Sequence, residues 1–137
     1  MKNTVIFSCL AAIFILNLCV TTNAQSSLTK EKKYEMKQYW FVMLLKGKKR
    51  EEIKDTATLN KIQQGHLANI GRLAELGKII VAGPFGDNTD WRGIFIFNAA
   101  SKEEVEQLLQ TDPAIKTGRL DYEIHPWWTA KGIATFQ

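Results

Sequence analysis

The chain of 137 residues carries 18 Lys and Arg against 14 Asp and Glu, a net charge of +4, and is 45% hydrophobic and 23% charged. That composition belongs to an ordinary globular domain and excludes a disordered or fibrous chain. With a leader set aside, the length admits one two-layer core and excludes two domains or a nucleotide-binding fold of usual size.

Met1-Lys2-Asn3 precedes an apolar run over residues 5–20 and then Thr21-Thr22-Asn23-Ala24-Gln25. A basic start, a short apolar segment and small residues at Thr22 and Ala24 predict a secretory signal peptide over residues 1–24, cleaved after Ala24. The run falls short of the about 20 residues of a membrane span. The expected destination is therefore periplasmic or extracellular, with no membrane attachment after cleavage. Lipid attachment at Cys19 would want a small residue before it, and Leu18 stands there. Cys9 and Cys19 are the only cysteines and both lie in this leader, so the mature chain has no disulfide and no thiolate metal site. Its stability must come from a hydrophobic core and from oligomerisation. Losing Lys2 lowers the net charge by one, and the remaining surplus concentrates in Lys30-Glu31-Lys32-Lys33 and Lys46-Gly47-Lys48-Lys49-Arg50. These runs read as solvated loop charge, with contact to an anionic surface or ligand as the alternative.

Residues 25–37 are polar without apolar periodicity and read as a flexible tether, which leaves 38–137 as the domain. Tyr39-Trp40-Phe41-Val42-Met43-Leu44-Leu45, bounded by Lys46-Gly47, is a continuous apolar run too short for a buried helix and predicts a central strand. A long helix follows, capped by Asp55 or Thr58 and running to Leu76, with Gly77 at its stop. Ile79-Ile80-Val81-Ala82 predicts a second strand ended by Gly83-Pro84. A loop over 85–91 leads into a third strand, Gly93-Ile94-Phe95-Ile96-Phe97. Ser101 with Glu104 forms a capping box for a second helix through Val105, Leu108 and Leu109. That helix is expected to stop at Asp112-Pro113, because the residue before proline is pushed from helical geometry. A fourth strand over 120–125 is closed by Pro126. The βαββαβ order predicts an α+β ferredoxin-like sandwich, two helices on one face of a four-stranded antiparallel sheet.

Strands one and three are apolar at consecutive positions and so present hydrophobic side chains on both faces, while two helices cover only one. A second copy packed sheet to sheet is the economical cover, through alternate residues of 39–45 and 94–97, with Val42 taken as one face position.

Leu59, Ile62, Ile70 and Leu73 form a stripe on the first helix at about 100° per residue, and His66 falls in its middle. Such a histidine is either a hydrogen-bonded core residue or a functional one. Asp112, at the expected end of the second helix, meets an unfavourable macrodipole and is otherwise a turn-forming Asp before proline.

Gly65-His66-Leu67, Gly77-Lys78, Ala82-Gly83-Pro84-Phe85, Arg92-Gly93, Thr111-Asp112-Pro113-Ala114 with Gly118, and His125-Pro126-Trp127 together resemble the YCII-related (YciI-like) proteins over about 39–128. The resemblance implies a dimeric α/β barrel, and an active site of one His and one Asp carried here by His66 and Asp112. It also implies pocket roles for Gly83, Pro84, Phe85, His125 and Trp127. A buried carboxylate can hold one imidazole nitrogen as N–H and leave the other as a general base. The implied chemistry is isomerisation or elimination on a small enolisable or hydroxylated ring compound, without cofactor or metal. The alternative from another class is a noncatalytic dimeric module that binds a small hydrophobic molecule.

His66 and His125 are the only histidines and lack His-x₃-His or His-Glu-x₂-His spacing, which argues against haem or metal. The aromatic pattern of RNA-recognition domains does not follow Arg92-Gly93, so no nucleic-acid partner is expected. Gly83-Pro84-Phe85-Gly86 lacks the glycine and lysine spacing of a phosphate-binding loop.

Overall fold

The computed structural model describes residues 33–133. The expected signal peptide, its two cysteines and most of the expected tether lie outside the described residues. In chain order come β1 (Met36–Lys46), α1 (Thr56–Glu75), β2 (Ile79–Pro84), β3 (Trp91–Phe97), α2 (Lys102–Leu109), α3 (Pro113–Lys116) and β4 (Leu120–Ala130). The strands form one sheet in the order β2-β3-β1-β4, every neighbouring pair antiparallel. This is the α+β ferredoxin-like arrangement. Among the described residues, no helix is long and apolar enough to cross a membrane.

One hydrophobic cluster joins the sheet to the helices: Val42 and Leu44 of β1, Ile79 of β2, and Phe95 and Phe97 of β3 pack with Leu73, Val105, Leu109 and Ile115. Burying a large aliphatic or aromatic side chain contributes about 1.5–3 kcal/mol, so this layer holds the domain together without disulfides. Each helix begins where its sequence provides a cap. Asp55, of the two candidates, accepts the Thr58 N–H at 2.8 Å. Ser101 accepts the Glu104 N–H at 3.3 Å. The Glu104 carboxylate reaches Ala100 N–H at 2.8 Å and Lys78 Nζ at 2.6 Å, so the box closes one residue before the usual position and also ties α2 to the start of β2. Past the α1 C-cap at Leu76, Gly77 has φ +66°, the left-handed conformation that favours glycine after a helix.

Four boundaries differ from expectation. β1 starts at Met36, because its first residues pair with the far end of β4, Met36 opposite Ala130 and Gln38 opposite Trp128. β3 starts at Trp91, two residues before Gly93. β4 runs straight through Pro126 to Ala130; it is an edge strand, where a residue without an N–H is tolerated. The second helix ends at Leu109, and Asp112-Pro113 opens a helical turn of its own, α3, instead of closing α2.

Paired registers sort the sheet residues by face. Trp40, Val42 and Leu44 lie opposite Phe97, Phe95 and Gly93 and face the helices, whereas Phe41 and Met43 lie opposite Ile96 and Ile94 on the other side. Val42 is completely buried beneath the helices, which corrects its placement on the open face. On that open face Tyr39, Phe41, Ile80, Ile94, Ile96 and Trp127 line an apolar depression of about 310 Å³.

Candidate functional site

His66 sits in the third turn of α1, on the buried stripe with Ile62, Asn69 and Leu73. Its Nδ1 lies 2.6 Å from Asp112 Oδ2, across 46 residues of sequence. Asp112 is 1% exposed. Its other carboxylate oxygen, Oδ1, accepts the Ala114 N–H at 2.8 Å and caps α3. The dipole expectation for this residue is thereby reversed: the carboxylate stands at a helix start, where backbone N–H groups face it, and not at a helix end. With both oxygens accepting, Asp112 is an acceptor at Nδ1, which makes Nδ1 the protonated nitrogen of a neutral His66 ring. Among the described residues Nε2 takes no hydrogen bond, and in that tautomer it carries the lone pair. Phe95 lies beside the imidazole with ring centroids 6.1 Å apart.

Two further features bring α1 and the 111–113 segment together. A Cβ built at Gly65 would stand 2.8 Å from Pro113 Cγ, so the residue before His66 must be glycine for α1 to approach the residue after Asp112 this closely. One turn further along α1, Arg72 donates to Asn69 Oδ1 at 2.7 Å and to Thr111 Oγ1 at 3.0 Å, and Thr111 Oγ1 is 2.9 Å from Asn69 Oδ1. This polar knot secures the residue before Asp112. Gly65→Ala gains about 1 kcal/mol of helix propensity but drives a methyl into the Pro113 ring, so it should lengthen the His66–Asp112 contact and lower any activity of the pair roughly tenfold or more. Gly71→Ala, with nothing within 4 Å of its new Cβ, should raise thermal stability and leave activity unchanged. Paired melting curves and turnover assays check both.

His66 lines a cavity of about 340 Å³ between α1, β2, β3 and the start of β4. Leu44, Leu67, Ile70, Phe95 and Leu120 make its apolar wall. Of the expected pocket residues, Gly83 and Pro84 line this cavity with His66. The remaining three are placed elsewhere. Phe85 packs against Trp91 with centroids 6.2 Å apart. Trp127 belongs to the depression on the opposite sheet face. His125 is exposed on β4, paired with Phe41 and 3.7 Å from Glu123 Oε2. For His125 and Trp127 the alternation of β4 accounts for this: Tyr122 and Ile124 turn toward the core, so the odd-numbered positions turn away from it.

The sequence profile of the YCII-related domain matches residues 39–128. The chain belongs to the YCII-related domain family. Among solved structures, the YCII-related chain is similar to the 5-chloro-2-hydroxyhydroquinone dehydrochlorinase TftG from Burkholderia phenoliruptrix AC1100 in complex with 2,5-dihydroxybenzoquinone. The two are 26% identical over 64% of this chain and 92% of the other, with a TM-score of 0.45. No curated protein matches.

In this YCII-related chain the cavity also holds three cations that the sequence analysis did not bring together, Arg50, Arg92 and Arg119. They come from the loop after β1, from β3 and from the residue before β4. Arg50 and Arg92 were visible only as part of a basic run and of a strand-opening pair. None of the three has a carboxylate partner among the ion pairs of the described residues. Burial, with repulsion from Arg119 and Arg92, pushes the Arg50 guanidinium below its ordinary pKa. Among the described residues, no cluster of three or more His, Cys, Asp or Glu could hold a metal ion.

Proposed function

We propose that the chain is an exported enzyme that moves a proton on a small ring compound, with His66 as general base and Asp112 as the group that orients it. The observation carrying this reading is the buried 2.6 Å contact between His66 Nδ1 and Asp112 Oδ2, in a ring whose side chain also lines a cavity of ligand size. In the reaction, Nε2 takes a proton from a ring C–H next to a carbonyl carbon, and the C–H electron pair enters the enolate. Isomerisation returns the proton to another carbon of the ring. Elimination instead expels a leaving group with the electron pair. Asp112 holds the tautomer and the ring plane throughout, and the apolar wall keeps bulk water from the forming enolate.

The test is hydrogen exchange in D2O. Enolisable and hydroxylated ring compounds are incubated with the protein, and loss of a specific proton signal is followed by NMR. Exchange that disappears in His66→Ala supports the base. Compounds that bind beside His66 without exchanging a proton, across the panel, would favour the noncatalytic binding module instead.

Export is part of the same proposal and rests on the pattern of residues 1–24. Protein recovered from the periplasm or medium of its host should have an intact mass that starts at Gln25. A species that retains Cys19 with added lipid mass would overturn soluble export.

The open sheet face supports a homodimer as the working form. Its Ile80 and Trp127 are exposed and its Tyr39, Phe41 and Ile94 half-buried, and the dimeric barrel implied by the family resemblance covers such a face with a second copy.

A further inference from the structure

The cavity beside His66 combines three features that belong to different parts of the chain. Arg50, Arg92 and Arg119 line it. No Asp or Glu lines it. Among the described residues the glutamate acting on Arg50 is its neighbour Glu51, which also acts on Arg119 but is paired at 3.1 Å with Lys46. Three half-buried guanidiniums gathered with no carboxylate in the cavity wall, and with Glu51 acting on Arg50 and Arg119 only beyond ion-pair distance, repel one another, which costs stability unless an anion joins them.

Their donors are also largely unspent. Arg119 Nη1 lies at the long distance of 3.5 Å from the Arg50 carbonyl oxygen, and Arg92 Nη1 donates to the Thr89 carbonyl at 3.2 Å. The Arg50 guanidinium makes no hydrogen bond to the described residues. Each guanidinium carries five N–H groups in a planar fork that matches a carboxylate. Across the same cavity stand Ile70, Phe95 and Leu120, which offer an apolar surface and no hydrogen bonds.

We propose that Arg50, Arg92 and Arg119 form an anion clamp, and that the molecule handled by His66 is a small ring carboxylate whose carboxylate lies on the clamp and whose ring lies on the apolar wall. This rests on the proposed function for the position of His66 and adds the substrate class. Three cations against one carboxylate leave a surplus of positive charge. That surplus also attracts the negative charge of an enolate formed on the same ring, so the clamp selects the substrate and favours the charge that proton removal creates.

The experiment titrates the full mature chain, by NMR, with three probes: 4-hydroxybenzoate, 4-hydroxybenzamide and inorganic phosphate. The benzoate should bind at least about tenfold more tightly than the isosteric amide, and more tightly than phosphate, which has the charge but no ring. Its affinity should fall as salt rises. Arg92→Gln and Arg119→Gln should each remove about tenfold or more of the preference for benzoate over benzamide, while Arg92→Lys and Arg119→Lys retain part of it by keeping charge without the fork. Circular dichroism of each variant separates lost binding from lost folding, and the lysine variants carry the test if a glutamine variant does not fold. Equal affinity for benzoate and benzamide would overturn the clamp. Phosphate binding as tight as benzoate would overturn the ring carboxylate as its occupant. Gly71→Ala, outside the cavity, should leave the benzoate preference intact. If that preference persists and no compound exchanges a proton in the unmodified chain, the base fails and the clamp stands; if exchange is robust but indifferent to the carboxylate, the clamp fails and the base stands.

Discussion

Asp112→Asn is expected to reduce proton exchange at the site by about 10²-fold or more, and His66→Ala by at least as much. The reason for the first is the tautomer. Asp112 now accepts on both oxygens, from His66 at 2.6 Å and from Ala114 N–H at 2.8 Å. An amide has only one acceptor oxygen. If that oxygen keeps Ala114, the NH2 faces Nδ1, the imidazole proton moves to Nε2, and the cavity loses its base. If the amide flips, two N–H donors meet at α3 and the turn holding residue 112 loosens. His66→Ala removes the base outright and leaves a buried carboxylate short of one partner, which costs about 1–3 kcal/mol. Exchange rates in D2O measure the first effect, and thermal melting measures the second. The double variant should be about as impaired as either single variant, since the two residues act as a unit. Single variants that retain full exchange while losing only stability would make the pair structural.

Phe41→Asp and Ile94→Asp are expected to break the assembly without touching the cavity. Both positions face away from the helices, and Phe41 lies opposite Ile96 across the strand pair. Covering this face with a second copy buries several large side chains at about 1.5–3 kcal/mol each before the cost of association. A carboxylate placed there must stay in water and holds the second sheet off. Light scattering should report a dimer for the unmodified mature chain at micromolar concentration, and a monomer or insoluble protein for either variant. A stable monomer of the unmodified chain would remove the dimer. Val42→Asp is a different experiment, because Val42 is buried under the helices and a charge there unfolds the protomer itself.

Much of this architecture was written in short-range pattern. Residues 39–45 and 93–97 are apolar without interruption, and a run of that length bounded by turn residues has few options beyond a strand. Asp55, Ser101 and Gly77 mark helix ends by chemistry that acts within four residues, and all three occupy those positions. The βαββαβ order and the right-handed crossover then leave the ferredoxin-like sandwich as the economical topology. His66 was legible as a polar residue in an apolar stripe, which is a property of α1 alone.

What depended on contacts between distant segments was not legible. Pro126 looks like a strand end until β4 is known to be an edge, where its missing N–H is harmless. Asp112 looks like the end of one helix; only the backbone beyond it, turning into α3, makes it the start of another. Gly65 carries no signal by itself, and its need appears when Pro113 packs against it from 48 residues away. The arginines show the limit most clearly. Arg50, Arg92 and Arg119 lie on separate connections and a strand start, with no periodicity to relate them, and their convergence around one cavity is set by how the β1 loop, β3 and the approach to β4 meet at one end of the sheet. Local sequence determines each element because the forces that form it act over a few residues. The charge and shape of the cavity were decided by tertiary packing, because they are sums over residues that only the fold brings together.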